Sequence, residues 1–297
     1  MTTILVPLDG SPLAEHALPV ATALARAGNA RLVLAYARWI ANATDPRAPD
    51  LERIAEALRA DGLTVETHAR HLPSTEESGA TLLTAAAEFK AGLIVMATHG
   101  HGGLGRVLYG SVADQVLRQT TVPLILVPPH SAGAWPADRP LRVLVPLDGS
   151  ERAEAVLGPL QATLGRLAAE FVLLRVADSI DYARPHGDQC DLCRTARLAG
   201  YEPDIEPVRV RAYLDGVAAR LRAGGLKVHV RGEMGEAASV IVRLAQERQV
   251  DLIAMATHGR GGLHRLILGS VATDTLRRAP VPLFLVRSLP SSEAGSG

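Results

Sequence analysis

The sequence predicts an α/β protein of two tandem domains, each a doubly wound parallel sheet of five strands. Three observations carry this reading: the chain repeats itself, each repeat alternates short apolar runs with helical periodicity, and its apolar residues are aliphatic rather than aromatic. Of the 297 residues, 47% are hydrophobic and only 3% aromatic. A core of Val, Leu, Ile and Ala suits parallel strands covered by helices on both faces. At roughly 150 residues per domain, the length agrees with two.

The repeat sets the boundaries. Leu5-Val6-Pro7-Leu8-Asp9-Gly10-Ser11 recurs as Leu144-Val145-Pro146-Leu147-Asp148-Gly149-Ser150, 139 residues later. Met96-Ala97-Thr98-His99-Gly100 recurs as Met255-Ala256-Thr257-His258-Gly259, and Gly110-Ser111-Val112-Ala113 as Gly269-Ser270-Val271-Ala272, both at a spacing of 159. The growth from 139 to 159 places a net 20 extra residues inside the second copy. The expected domains are therefore 1–128 and 141–288, with an insertion in the second at about 178–207. A Pro-, Gly- and Ser-containing linker at 129–140 reads as short and fairly stiff, and a tail at 289–297 as disordered.

Within each copy the strand candidates fall at regular intervals: residues 3–7, 31–37, 63–67, 92–97 and 122–127, then 142–146, 171–176, 226–230, 251–256 and 281–286. Helical periodicity fills the gaps, as with Leu214, Val217, Ala218 and Leu221 on one face. The first helix is expected to start with Ser11 as N-cap and Pro12 in the first turn, and to run to about Gly28. Strand–helix alternation with right-handed crossovers gives a Rossmann-like sheet. The last strand of each copy follows its final helix and should lie at a sheet edge. Pro123 and Pro282 fit such a place, where a missing N–H is tolerated. Both runs are apolar and uncharged, so pairing the two edges within the chain would remove an aggregation hazard.

Composition excludes several function classes. Formal net charge is +0, so no global field draws the chain to nucleic acid or to an anionic membrane. Only Lys90 and Lys227 are lysines among 31 basic residues, which argues against lysine-based covalent chemistry. Two cysteines are too few for a disulfide-built secreted scaffold. The N-terminus shows no signal-peptide pattern and no apolar run approaches the roughly 18 residues of a membrane span, so a soluble, cytoplasmic protein is expected.

Ligands in such sheets bind outside the carboxyl ends of strands, where strand order reverses. Two segments of each copy fall there. One holds Asp9 or Asp148 after the first strand; the other is a glycine loop after the fourth. Gly100, Gly102, Gly103, Gly105 and Gly110 crowd the first loop, and Gly259, Gly261, Gly262 and Gly269 the second. Glycines let backbone N–H groups approach a ligand, and Gly110-Ser111 or Gly269-Ser270 then opens a helix, a ready phosphate site. No G-x-x-x-x-G-K-[ST] is present and neither loop holds a lysine, which argues against a P-loop NTPase. No G-x-G-x-x-G follows the first strand and no acid ends the second, which argues against a dinucleotide site.

These residues resemble the universal stress protein family. Val-Pro-x-Asp-Gly-Ser at the start, the Met-x-x-His-Gly loop, nine intervening residues and Gly-Ser before the last helix all match, in both copies. The ATP-binding branch of that family carries G-x-x-G, nine residues, then G-[ST]. Gly100 and Gly259 match its second glycine, while Ala97 and Ala256 replace the first. By position, the resemblance implies that Pro7, Leu8 and Asp9 flank adenosine and that Ala37 gives main-chain contacts to the base. It implies that Met96 and Ala97 line the nucleotide, and that Gly100, Gly110, Ser111 and Val112 hold ribose and phosphates. The second set is Pro146, Leu147, Asp148, Val176, Met255, Ala256, Gly259, Gly269, Ser270 and Val271. It further implies ATP with Mg²⁺ on its phosphates, a role in stress response, and contact between domains through the last strands. A homodimer and an unidentified protein partner stay open, as do slow Mg-dependent hydrolysis and a scaffold without nucleotide.

Other residues have plainer alternatives. Asp9 and Asp148 can also cap the following turn. His99 and His258 lack an acid partner at fixed spacing for general-base work. Arg106 and Arg265 can reach phosphate or stay solvated. Cys190 and Cys193, with His186 nearby, form a lone C-x-x-C: too few ligands for zinc, open to a redox pair, and most simply two ordinary thiols.

Overall fold

The structure, a computed structural model, describes residues 2–39, 50–72, 78–99, 110–131, 135–136, 138–177, 205–258 and 269–288. Ten strands form one sheet in the order β3-β2-β1-β4-β5-β10-β9-β6-β7-β8. In the first half these are β1 (Thr3–Pro7), β2 (Arg31–Trp39), β3 (Val65–Leu72), β4 (Ala91–Ala97) and β5 (Leu124–Val127). In the second they are β6 (Leu141–Pro146), β7 (Ala169–Ala177), β8 (Lys227–Met234), β9 (Leu252–His258) and β10 (Leu283–Ser288). All pairings within a half are parallel.

The helices are α1 (Pro12–Glu15), α2 (Leu18–Gly28), α3 (Leu51–Ala60), α4 (Ser78–Glu88) and α5 (Ser111–Gln119) in the first half. The second half has α6 (Glu151–Glu154), α7 (Leu157–Leu164), α8 (Ile205–Ala223), α9 (Ala237–Glu247) and α10 (Ser270–Arg278). Two apolar clusters cover the two faces of the sheet, and each runs across both halves. Ile125 and Phe284 belong to one; Leu124, Leu126, Leu283 and Leu285 belong to the other. That alternation is the period of two that a strand buried on both faces imposes.

The halves meet where the apolar edges predict. β5 and β10 pair antiparallel, with Leu283 opposite Leu126, Phe284 opposite Ile125 and Leu285 opposite Leu124. Antiparallel pairing turns the halves end for end, so their carboxyl ends point in opposite directions.

Three sequence expectations are corrected. The single first helix is two, broken at His16 and Ala17, with α2 restarting on Pro19 in its first turn. Pro19 has no N–H to give the carbonyl of Glu15, so a continuous ladder fails there. The second half breaks the same way between α6 and α7, before Pro159. Next, β3 and β8 start two and one residues later than expected. The N–H of Leu63 bonds back to the carbonyl of Leu58 at 3.1 Å, and that of Leu226 to Leu221 at 3.3 Å, so both leucines still belong to the preceding helix end. These strands then run on to Leu72 and Met234 through polar residues, because an outer strand has one neighbour to bond and sides open to water. Finally, β5 starts at Leu124 rather than 122. The Val122 N–H is taken by Thr120 Oγ1 at 3.0 Å, and Pro123 has none to give.

Candidate functional site

Sequence order β1-β2-β3 runs one way from the centre of each half and β4-β5 the other, so the reversal lies between β1 and β4, and between β6 and β9. A crevice at this place follows from the two crossovers leaving on opposite faces. Most of the residues singled out above converge there: Pro7, Leu8 and Asp9 after β1, Ala37 at the end of β2, Met96 and Ala97 at the end of β4, and Gly110, Ser111 and Val112 opening α5. Pro146, Leu147, Asp148, Val176, Met255, Ala256, Gly269, Ser270 and Val271 occupy the matching places. Gly100, Gly259, Arg106, Arg265, His186, Cys190 and Cys193 lie outside the described residues, as does the side chain of His258.

The first wall is a tight turn made identically twice. Leu8 N–H donates to the Ala35 carbonyl at 2.8 Å, and Leu147 N–H to Leu174 at 2.7 Å, holding the chain one residue past the strand. Gly10 and Gly149 then take φ of 82° and 86°, a left-handed turn that favours glycine. Asp9 Oδ1 accepts from Ser11 N at 2.9 Å and from Ser11 Oγ at 2.6 Å, and Asp148 Oδ1 does the same with Ser150 at equal distances. The serine oxygens accept in turn from Ala14 N and Ala153 N, capping α1 and α6. The plainer alternative for the aspartates is thus what this geometry displays: each carboxylate braces its own turn.

The second wall is the start of α5 or α10. Thr98 closes β4 with its N–H on the Val127 carbonyl at 3.0 Å, and its own carbonyl accepts from Gly110 N at 2.7 Å. That bond ties the two ends of the glycine loop together. The first intrahelical bonds run from Asp114 N to Gly110 O at 3.0 Å and from Thr273 N to Gly269 O at 2.9 Å. The three N–H groups before each therefore have no carbonyl within the helix. α1, α3, α6 and α9 have such groups capped by Ser11, Asp50, Ser150 and Glu236, whereas α5 and α10 open on glycine without a side-chain cap.

Among the described residues nothing demands that glycine. Gly110 has φ −59° and Gly269 φ −54°, values open to any residue. A Cβ on Gly110 would, among the described residues, meet nothing nearer than the Thr98 carbonyl at 3.6 Å, an ordinary contact. No side chain among the described residues crowds Gly110, so the partly positive end of α5 is bare backbone.

Met96 and Met255 are 5% and 6% exposed and sit in the apolar cluster under α4, α5, α9 and α10, so they are core first. Ala97 is 8% exposed. His99 Nδ1 lies 3.0 Å from Thr98 Oγ1, a hydroxyl and not a carboxylate.

The halves differ at one corner that sequence reasoning missed. Tyr36, buried in the first, is replaced at the same register by Arg175, whose guanidinium donates to the Asp148 carbonyl and lies 5.8 Å over the Tyr213 ring. Tyr213 donates to Glu154 at 3.0 Å, and Glu154 also pairs with Arg220. Burial, then the bond to Glu154, pushes the Tyr213 phenol well above its usual range. An arginine inside the apolar run 171–176 was the available signal. Among the described residues no group of three His, Cys, Asp or Glu could hold a metal ion, and no helix is long and apolar enough to cross a membrane.

Fold and site together define a class: two doubly wound parallel halves joined into one sheet, each with a braced Asp-Gly-Ser turn and a glycine-started helix beside its strand-order reversal. The sequence model described as "Universal stress protein family" matches residues 1–128 and 141–287, and the chain belongs to that family. A universal stress protein of Mycolicibacterium smegmatis is 30% identical over 236 residues, covering 76% of this chain and 70% of that protein. Universal stress protein Rv2005c of Mycobacterium tuberculosis is 26% identical over 209 residues, which span 67% of this chain and 62% of that protein. The crystal structure of a universal stress protein from Archaeoglobus fulgidus superposes with a TM-score of 0.65 at 21% identity, covering 97% of this chain and 98% of that one, a likeness of fold.

Proposed function

We propose that one or both halves bind an adenine nucleotide, ATP with Mg²⁺ on its phosphates, and that occupancy sets the output of a stress-response regulator. The observation that carries this is the doubled, uncapped glycine start of α5 and α10 at the strand-order reversal. Its N–H groups suit phosphate oxygens, and the room a Cβ on Gly110 would fill fits a close ligand. Adenosine would lie against Pro7, Leu8, Asp9, Ala37 and Ala97, or Pro146, Leu147, Asp148, Val176 and Ala256, with Gly100 and Gly259 in the loops between. The cation would be held through the phosphates, since the described residues offer no cage of their own.

This reading makes the protein a binder rather than a fast enzyme. Hydrolysis needs a positioned base, and the base candidate His99 has a threonine hydroxyl as its neighbour. Slow Mg-dependent hydrolysis by activated water is the enzymatic variant of the same site. Loss of nucleotide altogether is favoured only by Ala97 and Ala256, where the family pattern has glycine.

Calorimetry with ATP and Mg²⁺ is the test. A stoichiometry near two supports the reading, near one assigns it to a single half, and no heat or competition at millimolar ATP overturns it.

A further inference from the structure

α5 and α10, the helices that open on Gly110-Ser111 and Gly269-Ser270, are each held at the far end by a side chain from across the β5–β10 junction, Arg287 of β10 and His130 of the turn after β5. Arg287 Nη1 donates to the Arg118 carbonyl, in the last turn of α5, at 3.3 Å. His130 Nε2 donates to the Ala279 carbonyl, the C-cap of α10, at 2.9 Å. The Arg118 carbonyl belongs to the negative end of α5, whose other end is Gly110-Ser111. Ala279, at ψ 126°, has left helical geometry, so His130 pins the chain where it leaves α10, whose other end is Gly269-Ser270.

Both clasps start from the edge of the other site. Arg287 pairs with Thr257 in the sheet, and the next residue, Ser288, pairs with His258 and donates its Oγ to the Thr257 carbonyl at 3.0 Å. Gly259 and its loop begin one residue later. On the opposite side, Val127 holds Thr98 N–H, and the turn that follows is closed by Ser131 N and Oγ on the Pro128 carbonyl at 3.1 and 2.8 Å, with His130 inside it. Antiparallel pairing of β5 and β10 makes this possible: it brings the amino end of one half beside the carboxyl end of the other. α5, nine residues and about 13 Å long, thus spans from one site to the edge of the second, and α10 spans the reverse.

We propose that Arg287 and His130 are positioning residues, each holding the helix whose other end would face phosphate in the opposite site, so that loss of the clasp weakens binding there. The proposal rests on the nucleotide reading above for its ligand. For α5, a phosphate at the N-terminus and the Arg287 donor at the C-terminus stabilise the same helix dipole and are therefore linked; for α10, His130 acts by fixing where the helix ends.

The test uses the full chain. With Gly269→Val silencing the second site, Arg287→Met should weaken ATP binding at the first by about two- to five-fold. Arg287→Lys, which keeps a donor, should recover most of it. His130→Leu should act likewise on the second site when Gly110→Val silences the first. Affinities equal to the parent variants, or a Lys variant no better than Met, would overturn the proposal. A readout without nucleotide runs beside it: in Arg287→Met, amide exchange should quicken over residues 115–119 and stay unchanged in α10. If ATP fails to bind at all, the nucleotide reading falls, and exchange alone decides the clasp: unchanged rates over 115–119 overturn it.

Discussion

The junction of β5 and β10 gives a sharp quantitative expectation. Leu124, Ile125, Leu126, Leu283, Phe284 and Leu285 are all 0–2% exposed. At about 1.5–3 kcal/mol for each buried side chain, these six represent roughly 9–18 kcal/mol of burial, shared between contacts within each half and across the junction. Ile125 and Phe284 face each other across the central pair. The variant Ile125→Lys with Phe284→Lys deletes two of the six and puts two like charges opposite one another in an apolar layer. The lost burial is about 3–6 kcal/mol, and each unpaired ammonium adds several kcal/mol of desolvation unless it gives up its proton. The sum, above about 6 kcal/mol, rivals the 5–15 kcal/mol that holds an ordinary domain together. Among the described residues, side-chain hydrogen bonds from His130, Arg287 and Arg166 (to the Gly28 carbonyl) also tie the halves, and they are too few to compensate. The assay is a protease site placed at 132–134, cleavage, and size-exclusion chromatography with thermal melting. The cut wild type should elute as one species; the cut double variant should elute as halves, and uncut it should melt at least about 12 °C lower. A double variant that melts like wild type and stays together after cleavage would refute pairing through these strands.

Other expectations follow from single contacts. Gly110→Val should abolish ATP binding at the first site while barely changing the melting temperature, because among the described residues its Cβ meets only an ordinary contact; Ser111→Ala should cost about 1–3 kcal/mol of binding, read by calorimetry. Any ATP turnover should fall below about 1 s⁻¹, the low end of usual enzyme rates, and a faster steady-state rate would overturn the binder reading. Gly149→Ala should destabilise by about 1–2 kcal/mol, since φ of 86° strains any side chain, while the Arg175 guanidinium beside the added Cβ ends a flexible side chain that can shift. Glu236 caps α9 by accepting from Ala238 N and Ser239 N at 2.9 and 2.8 Å, and bonds to Ser239 hold its carboxyl below the usual value. A depressed folded pKa means that its stabilisation is present above the unfolded pKa, near 4.5, and lost as pH falls through the folded one. Glu236→Ala should therefore cost about 1 kcal/mol in denaturant melts at pH 7 and close to nothing well below pH 4.

Much of this was legible in the chain because it is local or periodic. A strand shows in four to six apolar residues, a cap in Ser11 or Ser150, and a doubled domain in blocks such as Leu5–Ser11 recurring at 144–150. Even the meeting of the halves was readable, since two uncharged apolar edges cannot both be left in water. Boundaries were less legible. Leu63 and Leu226 look like strand residues by side chain, but their N–H groups belong to the preceding helix ends, and backbone partners leave no mark on hydropathy. Past Thr67 and Val230 the sequence turns polar while the strands continue, because pairing with one neighbour is enough at an edge.

What the sequence by itself determined is which residues gather at each crevice, since repeat and topology place Asp9, Gly110, Asp148 and Gly269 beyond the carboxyl ends of strands. Only the tertiary structure decided what those residues do there. It shows the aspartates bracing their own turns, Gly110 bare without any need of its own backbone, and Arg175 standing where the first half has Tyr36. It also decided that Arg287 reaches Arg118 and His130 reaches Ala279, 169 and 149 residues away along the chain. The reason is range. Propensity, capping and periodicity act over a few residues and are written in order, whereas a hydrogen bond between halves depends on how β5 and β10 pair, a choice made by the whole sheet.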